Sequence, residues 1–193
     1  MTEALIDFVH EAGLLKRIRR SGWWVAGIDH PESVAEHTFR AALIGYILAS
    51  LEGADPFRAA TMCLFHDLPE ARTGDLHRVN DLYLDSKEAQ KRAFLDQVEK
   101  LPSSCAQQLK TMYLDWEDGG SPEARIARDA DLLECLIQAK EYQAQGCSSV
   151  EEWIKNTASQ LRTKWAQTLA KACMEGDPKR WWHEISRRGQ GGR

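Results

Sequence analysis

The chain has 193 residues, of which 43% are hydrophobic and 28% are charged, and its formal net charge is −4. This length fits one domain with a substantial core, and the composition is that of an ordinary soluble protein. The small net charge gives no reason to expect nucleic acid as a partner. No apolar run is long enough to span a bilayer, and the N-terminal residues lack the basic and apolar regions of a signal peptide, so we expect no membrane partner either.

The predicted elements are helices throughout, because apolar residues recur at intervals of three and four and strand-like alternation is absent. A first helix is predicted over residues 3–16. The run Ser33-Val34-Ala35-Glu36 has the form of a capping box, in which the serine caps the helix and the glutamate reaches back to it. This pattern predicts a second helix that continues to about Leu51.

The next helix is bounded by two proline signals. Asp55 is a good N-cap residue, and Pro56 suits the first helical position, so a third helix should begin there. Pro69 disfavours helical backbone angles at Leu68. The sequence therefore predicts that this helix ends near Asp67.

The second half of the chain carries further amphipathic patterns that predict one all-α domain over residues 1–186, followed by a flexible tail over 187–193. Ser121 followed by Pro122 starts the longest of these patterns, which continues to about residue 145. The other predicted helices cover 86–101, 103–116, 149–174 as one long helix, and 178–185.

Five cysteines are scattered along the chain, without a Cys-x-x-Cys pair. An odd number at irregular spacing is not the pattern of a disulfide framework or of a zinc knuckle. It is typical of reduced thiols, and it predicts a cytoplasmic location. The tryptophans from Trp116 to Trp182 are widely spaced, and they are expected to anchor helix packing or a subunit interface.

Polar residues occur at apolar positions of three helices. His37 and His66 fall on the apolar faces of the second and third helices, and Asp131 is embedded in an apolar stretch of a later one. A single inward histidine is more often an ordinary core residue, but a buried carboxylate is costly unless it is paired or bound to metal. One cation would satisfy all three groups together with Asp67, at a helix C-terminus that favours positive charge. Two imidazoles and two carboxylates predict one hydrolytic divalent metal, and with it the cleavage of a phosphate ester.

Three stretches of the chain resemble the HD-domain metal-dependent phosphohydrolases, an all-helical superfamily, and in particular its small 5'-deoxynucleotidase branch. The stretches are Pro31–His37, His66–Leu76, and Asp131–Glu134 leading to Glu141-Tyr142. A His-Asp dipeptide alone is weak evidence, but here Pro-Glu-Ala and Thr-Gly-Asp follow it. The resemblance covers most of residues 3–170, and it implies a compact helical bundle with the metal site in its centre.

The resemblance assigns four residues to one divalent ion, which could be Co, Mn, Ni, Mg, Fe or Zn: His37, His66, Asp67 and Asp131. The absence of thiolates disfavours a structural zinc site but excludes little else. A bound metal would lower the pKa of water and polarise a phosphoryl oxygen. Homodimers are common among similar proteins, so a homodimer is a further expectation.

Two acidic residues after the His-Asp pair are predicted to be catalytic. Glu70 would act as general base or general acid beside the metal, although a glutamate in a first helical turn can also be a solvated residue. Asp75 occupies the family's Thr-Gly-Asp position, where the aspartate contributes to the network around substrate and water. The alternative is that Gly74-Asp75 is an ordinary turn.

A basic segment beside two tryptophans is expected to bind substrate. In the resembling deoxynucleotidases an arginine and a nearby tryptophan contact the nucleotide, and Arg20 and Trp23 match them, with Trp24 as the alternative. Arg20 could hold a phosphate through two N–H groups. Arg72, next to the catalytic loop, is a second candidate for the phosphate. Otherwise the segment is a solvated basic stretch whose tryptophans pack under the next helix.

The favoured function is a 5'-nucleotidase that releases phosphate from ribo- or deoxynucleoside 5'-monophosphates, with the small nucleotide as its partner. Within enzymes, the alternative is a phosphodiesterase or triphosphohydrolase acting on another nucleotide. A non-catalytic, metal-stabilised regulatory module is the rival from another class. Such modules typically lose a metal ligand or the catalytic carboxylate, and this chain carries all of these residues.

Overall fold

A computed structural model describes residues 2–190 of the chain. Within these residues the backbone is helical and contains no β-strand, which confirms the predicted all-α class, and an isolated bridge pairs Arg19 with Ser33. The α-helices are α1 (Thr2–Ala12), α2 (Gly22–Val25), α3 (Val34–Glu52), α4 (Pro56–Phe65), α5 (Glu70–Thr73), α6 (Ser86–Glu99), α7 (Ser103–Asp118), α8 (Pro122–Ala144), α9 (Glu151–Gln160), α10 (Lys164–Glu175) and α11 (Arg180–Gln190). Short 3₁₀ helices cover Gly13–Lys16, Arg78–Leu82 and Ser148–Val150.

The bounds of α3 and α4 follow from local signals in the sequence. The Glu36 backbone N–H donates to Ser33 Oγ over 3.2 Å, and the Ser33 N–H donates to the Glu36 carboxylate over 2.6 Å, so the capping box is confirmed. Gly53 ends α3 with a φ of 75°, in the left-handed region that glycine enters without strain. The start of α4 at Asp55-Pro56 is confirmed as well, because the Asp55 carboxylate accepts two backbone N–H groups.

The core surrounds α8. One cluster of buried apolar residues joins α3, α4, α8, α9 and α10, and it includes Leu48, Met62 and Leu136. A second cluster involves α6 and α7, where the rings of Phe94 and Tyr113 stack with their centroids 4.0 Å apart. Helix α3 contributes buried residues to both clusters. Polar side chains on its inner face are therefore enclosed, and they need partners from neighbouring helices.

The single long helix predicted over 149–174 is wrong, because the chain breaks between α9 and α10. The carboxylate of Asp129, on α8, accepts the backbone N–H of Arg162 over 3.0 Å and that of Thr163 over 2.6 Å. Leu161 is buried at the break. No proline or glycine occurs there, so a tertiary contact ends α9, and Thr163 at the N-cap of α10 is a weak local signal of the break.

Other bounds differ from the prediction at the ends of the chain. Helix α1 is shorter than predicted, and a 3₁₀ helix follows it. Helix α11 continues to Gln190, so the first residues of the predicted tail are helical, and residues 191–193 lie outside the described part. The short helices α2 and α5 and the 3₁₀ helix at Arg78–Leu82 were not predicted. Among residues 2–190, no helix has both the length and the apolar composition that a membrane crossing requires.

Candidate metal centre and adjoining cavity

The structure brings the four predicted metal ligands together from three helical segments. His37 lies in α3, His66 and Asp67 follow α4, and Asp131 lies in α8. His37 Nε2 is 3.1 Å from Asp131 Oδ1 and 3.5 Å from Asp67 Oδ2. His66 Nε2 is 3.1 Å from Asp67 Oδ1 and 3.8 Å from Asp131 Oδ1. Neither buried Nε2 atom has a hydrogen-bond partner of good geometry among the described residues. Two imidazole nitrogens and two carboxylates that face a common point fit a divalent cation.

The electrostatics of this cluster favour positive charge at the same point. Burial and the charge of Arg20 lower the pKa of His37, but its contacts with the carboxylates of Asp131 and Glu134 outweigh them and raise this pKa to about 9. Burial alone would raise the pKa of Asp131, yet the two histidines hold it well below its usual range. Protons on the imidazoles thus neutralise the carboxylates in the metal-free protein. A divalent ion can replace these protons.

The contact of His66 Nδ1 determines which tautomer this histidine adopts. Its Nδ1 lies 2.7 Å from the carbonyl oxygen of Cys63. A carbonyl can only accept, so Nδ1 carries the hydrogen, and the neutral ring has its lone pair on Nε2. The indole of Trp116 packs against the imidazole, with the ring centroids 4.8 Å apart. Backbone and packing together therefore aim Nε2 at the cluster.

A second group of possible metal ligands lies behind His37, but a guanidinium occupies it. Glu32, His37 and Glu134 each offer one potential ligand atom, and these three atoms lie close enough together to bind one ion. Arg40 is 2.7 Å from a Glu134 oxygen and 4.0 Å from Glu32. Because Arg40 already supplies the positive charge, the candidate metal position is on the Nε2 side of His37, away from Glu134.

Arg20 and Asp75 form an ion pair at the edge of the metal centre. Arg20 Nη1 lies 3.3 Å from Asp75 Oδ2 and 3.4 Å from Asp67 Oδ2. Asp75 Oδ1 accepts the backbone N–H of Ser21 over 2.8 Å and its hydroxyl over 2.5 Å. Asp75 thus ties the segment that carries Arg20 to the loop after α5. The pKa of Arg20 stays well above its ordinary value, because the nearby carboxylates outweigh the opposing effect of burial.

Glu70 is the first residue of α5 and is buried, with only 5% of its surface exposed. This position differs from the solvated glutamate that the sequence left open. Burial, and after it the charges of Asp67 and Asp75, hold its pKa well above the usual range. Its Oε2 atom has no hydrogen-bond partner among the described side chains and backbone groups. Glu70 therefore holds a proton more tightly than an exposed glutamate does when no metal is bound.

A cavity of about 530 Å³ opens from this centre to the surface. Its lining includes Arg20, Glu70, Asp75 and Asp131, which adjoin the metal centre and which we call the charged end, and the indoles of Trp23 and Trp153. This volume is within the range of pockets that bind small organic ligands. With a divalent ion bound beside the three carboxylates, an anionic group at the charged end and a planar group along the indoles would match these surroundings.

Of the two tryptophans that follow Arg20, Trp23 is the one at the cavity. It is 3% exposed, its Nε1 donates to Glu32 over 3.1 Å, and its ring centroid lies 6.2 Å from that of Trp153. Trp24 is 55% exposed and is not among the residues that line the cavity. Trp153 was expected to serve packing or an interface. Its place at the cavity depends on how α9 folds over α8, which no local pattern reveals.

Arg72 does not reach the metal centre or the cavity. Its guanidinium pairs with Glu11 on α1, with Nη2 donating to Glu11 Oε2 over 3.1 Å, and it lies 3.7 Å from Asp96 on α6. The pKa of Arg72 is raised by the hydrogen bond to Glu11. The structure thus gives Arg72 a role in joining α5 to α1 and α6, and of the two arginines Arg20 is the one that lines the cavity.

Three polar residues near the site were not assigned roles from the sequence. Ser21 anchors Asp75, Glu134 contacts His37, and Arg40 contacts Glu134. A signal existed for Glu134, because it lies three residues after Asp131 on the same helix and within a stretch that resembles the family. Ser21 and Arg40 carried no such signal, since their partners are distant in the chain.

A helical bundle that encloses a two-histidine, two-carboxylate centre beside a buried glutamate defines the class of metal-dependent hydrolases. The model of the HD domain family matches residues 12–173, and the chain belongs to this family.

Named relatives and a solved structure are similar over most of the chain. The human 5'-deoxynucleotidase HDDC2 is 27% identical over 141 residues, which cover 72% of this chain and 69% of the relative. The protein of the same name from Dictyostelium discoideum is 29% identical over 148 residues, or 72% of this chain and 78% of the relative. A crystal structure from a structural genomics programme superposes with a TM-score of 0.77 and 36% identity, over 93% of this chain and 99% of the other.

Proposed function

We propose that this protein is a metal-dependent 5'-nucleotidase that releases phosphate from (deoxy)nucleoside 5'-monophosphates. The observation that carries the proposal is the cavity of about 530 Å³, whose lining includes the candidate metal ligand Asp131, the adjoining residues Arg20 and Glu70, and the indoles of Trp23 and Trp153. Its charged end suits a phosphate, and its indoles suit a nucleoside. Relatives that are named 5'-deoxynucleotidases, and that this chain matches over 72% of its length, support the same substrate class.

His37, His66, Asp67 and Asp131 would hold one divalent ion through imidazole nitrogens and carboxylate oxygens. Bound there, the ion supplies positive charge to phosphoryl oxygens and makes water more acidic. The absence of a thiolate from this set is compatible with Co, Mn, Ni, Mg, Fe or Zn, which all accept nitrogen and oxygen ligands. The unpartnered Nε2 atoms of both histidines are the observation that supports this assignment.

The neighbouring side chains bind and orient the substrate and move a proton. Arg20 offers N–H groups to the phosphate oxygens and neutralises charge as the ester bond breaks. Asp75 is a positioning residue for Arg20, because it holds both the guanidinium and the Ser21 backbone. Glu70 lines the cavity beside Arg20, Asp75 and Asp131, so it is placed to act as general base toward water or as general acid toward the leaving 5'-oxygen. Trp23 and Trp153 exclude water along the nucleoside.

The test is phosphate release from a panel of ribo- and deoxynucleoside 5'-monophosphates, with diesters and triphosphates alongside. Chelator-stripped protein receives single divalent metals, and Asp67→Ala is the control. We expect metal-dependent release from monophosphates that the control lacks. Release only from diesters or triphosphates would overturn the monophosphatase assignment, and bound metal without any turnover would indicate a regulatory module.

We also propose a homodimer that forms through one apolar surface, which we call the α3/α4 patch. It consists of Phe39, Leu43, Tyr46, Ile47, Phe57 and Leu64, all exposed. Phe39 and Phe57 are 71% and 72% exposed, and the rings of Tyr46 and Phe57 meet with centroids 5.6 Å apart. Every exposed residue of α3 between Glu36 and Glu52 is uncharged. A second copy suits this patch, because two uncharged apolar faces related by a twofold axis do not repel each other.

We infer a cytoplasmic location from the cysteines. All five lie within the described residues as free thiols, and Cys105 among them is exposed. A reducing compartment keeps an exposed thiol from pairing between molecules. Burial raises the pKa of Cys63, so this thiol is unreactive and serves as a small core residue. Location of a tagged chain by microscopy, with fractionation as a check, tests the assignment.

A further inference from the structure

Glu134 is a carboxylate in the core of the bundle that takes no part in the proposed reaction. It lies on α8, one helical turn after Asp131, and it is fully buried. One of its oxygens, Oε2, lies 2.5 Å from Nδ1 of His37. It does not line the cavity, so it cannot touch a substrate. A buried carboxylate is costly without strong partners, and its partners therefore indicate its purpose.

The second oxygen of Glu134 is held by Arg40. Oε1 accepts from Arg40 Nε over 2.8 Å, and Arg40 Nη2 lies 2.7 Å from the same oxygen. Arg40 also donates to Glu141 over 2.9 Å and to Gln138 over 2.6 Å, so three residues of α8 fix the guanidinium. The permanently charged guanidinium of Arg40 makes Glu134 an ionised acceptor with a fixed orientation.

The two candidate histidine ligands have different supports. His66 donates its Nδ1 hydrogen to a backbone carbonyl, whereas His37 faces an ionised carboxylate. An ionised carboxylate only accepts, so it keeps the hydrogen of His37 on Nδ1 and leaves the Nε2 lone pair free. It also makes the imidazole a more basic ligand than a carbonyl partner does.

We propose that Glu134 is a positioning residue for the metal centre, and that Arg40 holds it in place for this task. The chain His37–Glu134–Arg40 sets the tautomer and the ring orientation of His37 from behind. This proposal rests on the proposed metal-dependent function, but its direct readout is metal binding without any nucleotide. A failure to hydrolyse monophosphates would therefore leave it intact.

The decisive variant is Glu134→Gln. The glutamine has the same shape, but it either accepts from Nδ1 without the negative charge or turns its amide N–H toward Nδ1 and forces the hydrogen onto Nε2. We expect the dissociation constant for Co²⁺ or Mn²⁺ to rise about 10- to 100-fold, which is the usual effect of losing such an outer contact. The visible absorption of the Co²⁺-loaded protein should change as well.

The matched control is Glu141→Gln, which removes a carboxylate from the same guanidinium on the same helix without touching His37. We expect its metal affinity to stay within about threefold of that of the original protein, because a half-exposed ion pair contributes little energy. With both variants at saturating metal, the KM for the nucleotide should be unchanged, since neither residue lines the cavity.

A folded Glu134→Gln protein that binds Co²⁺ within about threefold of the original would overturn the proposal. If that variant does not fold, Arg40→Gln decides the question, because it leaves Glu134 intact and removes the guanidinium that holds it. If Arg40→Gln weakens metal binding more than the Glu141→Gln control does, the result supports the chain of contacts. If the two variants bind metal equally well, the result contradicts it.

Discussion

At the scale of single residues, each group of the site has more than one partner, and these partners restrict what it can do. Asp67 illustrates this, since Oδ1 faces His66 over 3.1 Å while Oδ2 faces both Arg20 over 3.4 Å and His37 over 3.5 Å. A carboxylate shared between a candidate metal position and an arginine holds the two positive groups close enough for one phosphate to contact both. Substitution of Asp67 therefore disturbs metal binding and substrate binding together, whereas Glu70 can be tested separately.

Glu70→Gln should retain the metal and lose turnover. The amide keeps the shape of the side chain but cannot deliver a proton, so kcat should fall about 10²- to 10⁴-fold while KM changes little. Steady-state kinetics with a metal determination on the same sample measure both quantities. Full activity of a metal-loaded Glu70→Gln protein would show that the proton comes from elsewhere.

Metal uptake should release protons, and its affinity should increase with pH. The pKa of His37 is raised to about 9 in the metal-free protein, chiefly by Asp131 and Glu134 against the opposing effect of burial, so this imidazole is protonated at pH 7. The proton must leave before Nε2 can bind a cation. Calorimetric titrations of metal at several pH values, in buffers of different ionisation enthalpy, count the protons. Uptake at pH 7 without proton release would contradict the raised pKa.

The raised pKa of His37 also predicts how the stability of the metal-free protein depends on pH. A folded-state pKa near 9, against an ordinary value of 6.5, contributes stability to the metal-free protein that is fully present below pH 6.5 and is lost as pH rises through 9. The metal-loaded protein does not depend on this proton. We therefore expect the gain in Tm on adding metal to grow between pH 6.5 and 9.

At the scale of elements, the break between α9 and α10 decides the shape of the cavity wall. Asp129 ends α9 by accepting backbone N–H groups of Arg162 and Thr163, and α9 in turn carries Trp153 into the wall. A continuous helix over this region would carry its residues away from α8. One buried carboxylate on α8 thus links the packing of two helices to the candidate substrate cavity.

Asp129→Ala should destabilise the protein by about 1–3 kcal/mol, because charge-assisted hydrogen bonds are lost and backbone N–H groups lose their acceptor. Urea unfolding followed by circular dichroism measures the change. Asp7→Ala, at an exposed position of α1, is the control and should stay within about 0.5 kcal/mol. Equal stability of the two variants would mean that Asp129 does not maintain the break.

Trp153→Leu should raise the KM for the nucleotide and leave kcat nearly unchanged, since the indole lies along the wall and away from the charged end of the cavity. Loss of an aromatic contact of about 0.5–1.5 kcal/mol corresponds to a rise in KM of roughly two- to tenfold. Trp165→Leu, in α10 and outside the cavity, is the control. A KM that responds equally in both variants would argue against a nucleoside contact at Trp153.

At the scale of the whole molecule, the α3/α4 patch lies on the outer faces of the helices whose inner residues build the metal centre. Helix α3 carries His37 inward and Phe39 and Leu43 outward, so assembly and chemistry share one element. A second copy covering the patch would hold α3 from both sides. The size of the assembly is therefore the property to measure for the whole molecule.

Phe57→Glu should convert the proposed dimer into a monomer, because a charge placed on each copy would meet its own equivalent across the twofold axis. Sedimentation equilibrium of the original protein and of Phe57→Glu, at the same concentration, gives the mass of each assembly. Leu82→Glu, at a residue that is 76% exposed and outside the patch, should leave the assembly unchanged. A monomeric original protein would refute the dimer.

Periodicity and capping signals determined the helical class and the bounds of α3 and α4, because those signals act between residues only a few positions apart. The three stretches that resemble the HD domain family placed His37, His66, Asp67 and Asp131 as candidate ligands before any geometry was known. Only tertiary structure decided that Arg72 pairs with Glu11, that Trp153 lines the cavity, and that Glu134 lies behind His37. These contacts join residues from 61 to 130 positions apart or depend on how one helix folds over another, so no local rule of the chain could reveal them.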